Sequence, residues 1–437
     1  MKRKAYYSLL SWKTSPQRKP LIIQGARQVG KTYLMKEFGA NEFRQVAYFN
    51  FESRPELGRI FDRELSPSSI INSLKLFTDS TIEPEHTLLI FDEVQACPNA
   101  LTALKYFHEN APEYPVMAAG SLLGVAMHRG VSFPVGKVDF LRLHPFDFIE
   151  FLQATGNEKW TQPLLACNWE QQEMLSGEFT ALLKNYLIVG GMPEAAITFG
   201  QTGDVKRVRN IQEAILQAYE NDFSKHAPIE LVPRIRMVWQ SIVGQLAKEN
   251  SKFIYSIMRK GARAKDFEMA IGWLHDAGLI HKVTRISKAA WPVDAYALWY
   301  DFKLYIHDCG LLSAMAQLSP SIIIEGNKMF TEFKGVLAEQ YTLQQLVVSS
   351  IPLYYWNPEN AESEVDFVMP IHGNLIPLEV KAGDNVRSRS LSVYAKAYAP
   401  DICLRTSLLP YRKQEWMENL PLYGIAGWLR STEDSTE

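Results

Sequence analysis

The densest chemistry in this chain lies in "GARQVGKT", residues 25–32. Its glycines, lysine and threonine satisfy the spacing G-x-x-x-x-G-K-[ST] at every fixed position. Gly25 and Gly30 let the backbone curl, so that N–H groups along Ala26, Arg27, Gln28 and Val29 point inward at phosphate oxygens. A helix beginning at the lysine adds the positive end of its dipole. Lys31 reaches β- and γ-phosphates as a point charge, and the Thr32 hydroxyl is a ligand for Mg²⁺. The flanks are the required ones, with "LIIQ" before as a strand and "TYLMKEFG" after as a helix. The cofactors implied are ATP and Mg²⁺.

A second element belongs with the first. "LLIFDE" (88–93) reads as a buried strand ending in two carboxylates. Buried carboxylates are costly without a partner, so Asp92 is assigned to Mg²⁺ through its hydration shell. Glu93 is assigned as the general base that polarises the attacking water. Ser121, closing "AAGS", is either a γ-phosphate sensor or a turn serine. Gln95 is a candidate for polarising water or reading the nucleotide state. Arg129 is a candidate for the arginine that neutralises the transition state, against the plainer reading of a solvated loop residue.

A separate constellation lies near the other end, in "SEVDFVMPIHGNLIPLEVKAG" (363–383). It reads as a β-hairpin turning at His372–Gly373. Centred there, Asp366 falls opposite Glu379 and Glu364 opposite Lys381, all on one face because strand side chains alternate. Opposed carboxylates have Cβ atoms about 5 Å apart and repel. A divalent cation between Asp366 and Glu379 removes the penalty, with Lys381 beside it to stabilise developing phosphorane charge or orient water. The alternative is a solvated face on which Glu364 pairs with Lys381.

These residues need elements to hold them. Short apolar runs at 20–25, 46–52, 87–94 and 115–121 read as strands, with helical stretches such as Lys31–Phe38 and Ala100–Asn110 between them. That alternation predicts a parallel sheet covered on both faces. The stretch 153–182 reads as helices, as does 205–247. Residues 252–286 give helix, turn, helix and strand, the order of a winged helix-turn-helix. Its Arg259, Lys260, Arg263 and Lys265 are candidates for a nucleic-acid face or a plain basic turn, whereas Phe267, Ala270, Ile271 and Leu274 follow the spacing of a packed helix face. A long helix spans 333–350, and "STEDSTE" at the end reads as a disordered tail.

Length and composition agree. The chain has 437 residues, 47% hydrophobic and 22% charged, enough for several domains with their own cores. A net charge of −2 argues against a globally basic nucleic-acid binder. The four cysteines are far apart, which suggests neither a zinc site nor a disulfide scaffold and suits a reducing cytoplasm. No signal-peptide pattern and no apolar run near the ~18 residues of a membrane span is present, so a cytoplasmic protein with no membrane partner is expected.

The chain resembles the bacterial and archaeal AAA-family ATPases that carry a C-terminal domain of unknown function with a restriction-endonuclease-like core. The resemblance rests on "GARQVGKT", "LLIFDEVQ", "AAGSLLG", "LHPFDFIEFL" (143–152), "GGMPEA" (190–195), "HDCGLL" and "EVDFVMP…PLEVKAG". It spans about residues 15 to 410. It implies an α/β fold in three parts: an AAA-like P-loop parallel-sheet domain, a helical and winged-helix middle, and a restriction-endonuclease-like α/β C-terminus. The expected boundaries are 1–155 for the ATPase core, 156–225 for its helical extension, 226–290 for the winged helix and 291–437 for the nuclease-like domain. The hairpin then matches the D…E-x-K signature of such nucleases, with Asp366, Glu379 and Lys381 catalytic. Those folds often add a glutamate from a preceding helix, a place Glu339 can fill as a further ligand, and such an oxygen site suits a second Mg²⁺ or Mn²⁺. The chain departs from the family at Gly136–Lys137, where Gly-Arg is usual, and a lysine lacks the planar fork of an arginine finger.

The leading expectation is an ATPase whose nucleotide cycle drives a DNA-acting or DNA-sensing module, with DNA and further copies of the chain as candidate partners. A nucleotide-dependent switch or scaffold with an inactive nuclease fold, and an ATP-gated defence nuclease, are the rivals.

Overall fold

Near-continuous apolar strands build the first part of the protein. The computed structural model describes residues 3–120, 136–248, 252–325, 331–358, 363–382 and 388–434. They divide into two units, Met1–His144 with Asp276–Leu279, and Pro145–His275 with Ile280–Glu437. Ser121 and Arg129 lie outside the described residues.

The first unit holds five parallel strands: β1 (Leu21–Gln24), β2 (Gln45–Asn50), β3 (Thr87–Asp92), β4 (Val116–Ala119) and β5 (Asp139–Arg142), in the spatial order β2-β3-β4-β1-β5. All six residues of β3 are buried, as a strand covered on both faces requires. Helix Lys31–Glu42 follows β1, and helix Pro98–Asn110 lies between β3 and β4. The latter starts with proline, whose missing N–H costs nothing at a first helical position. It buries Ala100, Leu101, Ala103, Leu104 and Phe107 on one stripe. Phe91 is the hub of the core, in edge-to-face contact with Phe51, Phe61 and Phe107. Burying each such ring contributes about 1.5–3 kcal/mol. Four strands match the sequence reading to within two residues or so. The fifth, "DFLR", was not foreseen: it is short and alternates half-buried with exposed positions. Pairing with β1, from Leu21 opposite Asp139 to Gln24 opposite Arg142, makes it a strand.

The second unit combines helices with a mixed sheet. Its strands are β6 (Ile280–Ile286), β7 (Ala297–Ile306), β8 (Tyr354–Trp356), β9 (Val365–Ile371), β10 (Asn374–Val380), β11 (Leu404–Ser407), β12 (Arg412–Lys413) and β13 (Glu418–Pro421). The order is β12-β13-β11-β10-β9-β8-β6-β7. The hairpin β6–β7 therefore does not stand apart as a wing. One side of β6 pairs antiparallel with β7 and the other parallel with β8, so one sheet runs through the expected boundary at 290. The β9–β10 hairpin turns where expected: His372 and Gly373 have φ of 49° and 80°, the left-handed pair that a two-residue turn between twisted strands demands. The end of the chain departs from expectation. Residues 431–434 close helix Ile425–Asp434 instead of trailing as a tail. Leu429 on that helix is buried, and Arg430 pairs with Asp147. Among the described residues no helix is long and apolar enough to cross a membrane.

A buried carboxylate ties this unit together. Asp308, fully buried, caps helix Cys309–Met315 by accepting from Leu311 N at 2.9 Å. Its other oxygen accepts from Gly191 N at 2.6 Å and Gln344 Nε2 at 3.0 Å. Gly191 in turn accepts from Phe146 N at 2.7 Å. A side chain at Gly190 would place its Cβ 2.2 Å from Asp308 Oδ1, and φ there is +75°, so only glycine fits. The motifs "LHPFDFIEFL", "GGMPEA" and "HDCGLL" thus meet at one carboxylate. Asp308→Ala strips an acceptor from these buried donors and is expected to destabilise the unit by about 3 kcal/mol or more, with Asp308→Asn less damaging. Urea unfolding followed by tryptophan fluorescence measures this, and an alanine variant within about 1 kcal/mol of wild type would refute the role.

Candidate functional sites

In the first unit, the strand order puts the loop after β1 and the end of β3 at the same edge of the sheet, with β4 between them. Gly25, Gln28 and Gly30 have φ of 146°, 68° and 93°, so residues 25–30 curl as the motif anticipates. A Cβ at Gly25 would lie 2.2 Å from Leu143 O. Gly30 is the N-cap of helix Lys31–Glu42. Val29 packs in the core, while Ala26, Arg27 and Gln28 form the loop between the glycines.

Lys31 is almost fully buried, its Nζ donating to Gly25 O and Ala26 O, both at 2.8 Å. Burial lowers its pKa to about 8 against the opposing pull of Glu93 and Asp92. A charge held this way is poorly compensated, and phosphate oxygens would relieve it. Thr32 Oγ1 donates to Asp92 Oδ2 at 2.7 Å, so the two expected Mg²⁺ ligands are in contact. Tyr48 also donates to Asp92 Oδ2, at 2.8 Å, and burial raises its pKa to about 12. Glu93 follows in the left-handed region, φ 53°, an unusual place for a side chain this long. The amide of Gln95 donates to Glu93 Oε2. Lys137 pairs with Glu109 at 3.1 Å.

Two supporting residues carried no signal in the motif. Tyr48 comes from β2, where the tyrosine reads as one more strand residue. Arg3 lies far upstream of the loop, donating to Val29 O at 2.8 Å and His144 O at 2.7 Å. The Val29 bond braces the loop against the β5 edge. Arg3→Ala is expected to raise the Kd for ATP about tenfold, the lower end of the worth of one charged hydrogen bond, and titration with a fluorescent ATP analogue tests it.

In the second unit, the hairpin pairs from Asn374↔Ile371 to Leu378↔Phe367, and in that register Glu379, one residue beyond the last pair, falls opposite Asp366. Lys381 Nζ sits 2.8 Å from Glu379 Oε1. Glu379 is 2% exposed, and its Oε2 has no hydrogen-bond partner. Asp366 Oδ2 accepts from Val380 N at 2.7 Å. On the far side Glu379 faces Arg405 of β11, which bonds Asn419 of β13 at 2.8 Å. Asp366, Glu379, Arg405 and Asn419 therefore form one polar row across neighbouring strands.

Lys303 of β7 was not anticipated. It is 1% exposed, with Nζ 2.9 Å from Glu339, 2.7 Å from Glu364 and 3.9 Å from Asp366. Tyr305 donates to the same Glu339 oxygen. Glu364 thus pairs with Lys303, whereas Lys381 pairs with Glu379. Burial opposes the Lys303 charge, but Glu339, Glu364 and Asp366 hold its pKa well above the ordinary value. Burial and the nearby Glu339 raise Asp366 to about 8. Glu339, Asp366 and Glu379 do not converge as a trio: among the described residues no group of three or more His, Cys, Asp or Glu side chains is placed to hold a metal ion. Glu339 is taken by Lys303 and Tyr305. Asp366 and Glu379 remain as a pair, and the unpartnered Glu379 oxygen fits a cation.

The geometry of the first unit defines a P-loop nucleoside triphosphatase. More particularly, residues 17–152 match the family model of an AAA domain, and the protein carries an AAA-type P-loop ATPase domain. Residues 180–322 match the domain of unknown function DUF8612, and residues 334–425 the domain of unknown function DUF4143. No curated protein matches the chain. Among solved structures, a Walker-type ATPase of Pyrococcus abyssi is similar at 17% identity over 72% of this chain and 95% of that one, TM-score 0.45. The RuvB Holliday junction branch migration motor of Thermotoga maritima is similar at 14% identity over 64% and 89%, TM-score 0.30. The Aeropyrum pernix ORC1 protein in complex with DNA is similar at 12% over 72% and 92%, TM-score 0.29. All three superpose only loosely.

The Asp366 shift has a sign that can be measured. Its folded pKa of about 8 stands above the ordinary 3.8, so between those values the folded protein holds a proton that the unfolded chain has released. The stability from this group is full at low pH and is lost as pH rises toward 8. Melting temperatures of Asp366→Asn and wild type, compared from pH 5 to 8, are expected to shift steadily in favour of the variant.

Proposed function

We propose that the protein hydrolyses ATP and that its nucleotide cycle controls a DNA-acting or DNA-sensing, restriction-endonuclease-like module in the second unit. The observation that carries the ATPase half is the contact of Thr32 with Asp92, with Glu93 next in the chain at the same sheet edge. On nucleotide binding, Lys31 exchanges the carbonyls of Gly25 and Ala26 for β- and γ-phosphate oxygens. Thr32, and Asp92 through water, would hold Mg²⁺, which would supply charge neutralisation at the phosphates. Glu93 accepts a proton from water as the water oxygen bonds to the γ-phosphorus. The bond to the β–γ bridging oxygen breaks, and ADP leaves with its electron pair. Gln95 holds the Glu93 carboxylate in orientation.

For the module, Asp366 opposite Glu379, with Lys381 on the same face, supports a site for one phosphodiester and one divalent cation, Mg²⁺ or Mn²⁺. A second reading has its own observation. Lys303 already neutralises part of the carboxylate cluster, which favours a nuclease fold used for binding, with the protein acting as a nucleotide-dependent switch or scaffold.

Lys31→Ala and Glu93→Gln are expected to lower ATP turnover at least a hundredfold, the former by losing phosphate contacts and the latter with binding retained. A phosphate-release assay checks this, and unchanged turnover in either variant would sink the assignment. For the module, plasmid DNA is incubated with Mg²⁺ or Mn²⁺, with and without ATP. Cutting that is lost in Lys381→Ala supports nuclease action. Intact DNA under all conditions, with ATP turnover retained, supports the switch.

A further inference from the structure

We infer that Lys303 occupies a second cation position in the carboxylate cluster, so that the site accepts a single divalent ion, at Asp366 and Glu379. The inference rests on the reading of that pair as an ion site and adds to it how many ions the site takes and which residue sets the number.

The cluster has two halves. In the inner half Glu339, on the helix Thr331–Val347, and Glu364, just before β9, both point an oxygen at Lys303 Nζ, at 2.9 and 2.7 Å. These are charge-assisted hydrogen-bond lengths, and the ammonium sits where a bridging cation would sit. A divalent ion there needs oxygen ligands at about 2.1 Å in octahedral array, and the ammonium excludes it. Lys303 cannot yield the place. It is 1% exposed, it shares its face of β7 with buried Tyr305, and Tyr355 packs a ring 5.2 Å from its Nζ. A lysine on a rim can swing its head into water; this one has no such route. Tyr305 fixes the inner glutamate from the same strand face.

The outer half is unfilled by comparison. Asp366 Oδ1 is 3.9 Å from Lys303, beyond hydrogen-bond reach. Glu379 spends one oxygen on Lys381 and leaves the other buried without a hydrogen-bond partner, although Arg405 of β11 faces it. A buried carboxylate oxygen in that state calls for a cation or a proton. One divalent ion between Asp366 and Glu379 satisfies it and leaves the inner half as it stands. Lys303 is thus a positioning residue: it orients Glu339 and Glu364 and limits the site to one ion, without touching substrate.

The test is Mn²⁺ titration of the nucleotide-free full chain, followed by electron paramagnetic resonance of free Mn²⁺. Site occupancy is defined as the part lost in the quadruple variant Glu339→Gln, Glu364→Gln, Asp366→Asn, Glu379→Gln, and the outer ion as the part lost in Asp366→Asn, Glu379→Gln alone. The expected result is one such ion per wild-type chain and two in Lys303→Met. Circular dichroism confirms that the variant is folded; should it not fold, Lys303→Gln takes its place, and Lys303→Arg, which keeps a cation, must retain a single ion. Two cluster-dependent ions in wild type, or one in the neutral Lys303 variant, overturns the inference. No cluster-dependent ion in wild type but one in the neutral variant also overturns it and favours the switch reading, in which Lys303 replaces the metal altogether. No ion in either protein removes the ion site itself, and this inference with it.

Discussion

Asp308 is a charge without access to water, and the second unit is arranged so that it can exist. Burial raises its pKa, and hydrogen bonds from Gly191, Leu311, Gln344 and Gly310 pull it back. Those four donors come from three stretches: a turn after helix Ser176–Val189, the start of helix Cys309–Met315, and helix Thr331–Val347. An anion this deep makes position and identity strict, since any misplaced donor leaves either the carboxylate or a backbone amide unsatisfied. The last of these helices also carries Glu339. The constraint that satisfies Asp308 therefore fixes the approach of one acidic residue to Lys303, whose own strand runs directly into Asp308.

The two sites treat lysine in opposite ways. Lys31 has backbone carbonyls for partners and a lowered pKa; it is a donor waiting for better acceptors. Lys303 has carboxylates for partners and a raised pKa; its demand is already met. The contrast separates a ligand-binding cation from a structural one better than burial does, because both are almost fully buried.

Local pattern made part of this legible. The P-loop spacing, the acidic end of β3 and the register of the β9–β10 hairpin each depend on residues within one short stretch, so their geometry follows from the order of residue types. Asp366 and Glu379 could be paired because a two-residue turn leaves no freedom in the count. What escaped depended on partners distant in sequence. "DFLR" became a strand only beside β1. Nothing in "ALWYDFKLYI" announces that Lys303 will meet Glu339 and Glu364. Glu339 enters as a metal ligand only through the family resemblance, and its counter-ion Lys303 lies on a strand that the resemblance does not single out. Arg3 braces the P-loop from a helix start that no motif includes. The final helix hides its packed Leu429 just ahead of a polar run that resembles a tail.

The β6–β7 hairpin has a consequence for where this protein can be divided. The DUF4143 match begins at residue 334, past Lys303, and the DUF8612 match ends at 322, before Glu339. Cut at that seam, one fragment inherits the acids with their lysine gone and an open sheet edge at β8; the other inherits a lysine buried for partners it no longer has. Sequence families mark the seam as a border between modules, but electrostatically it runs through the middle of one. The two stretches have value only in each other's company, and exchange of either one between proteins would have to carry the matching charge along.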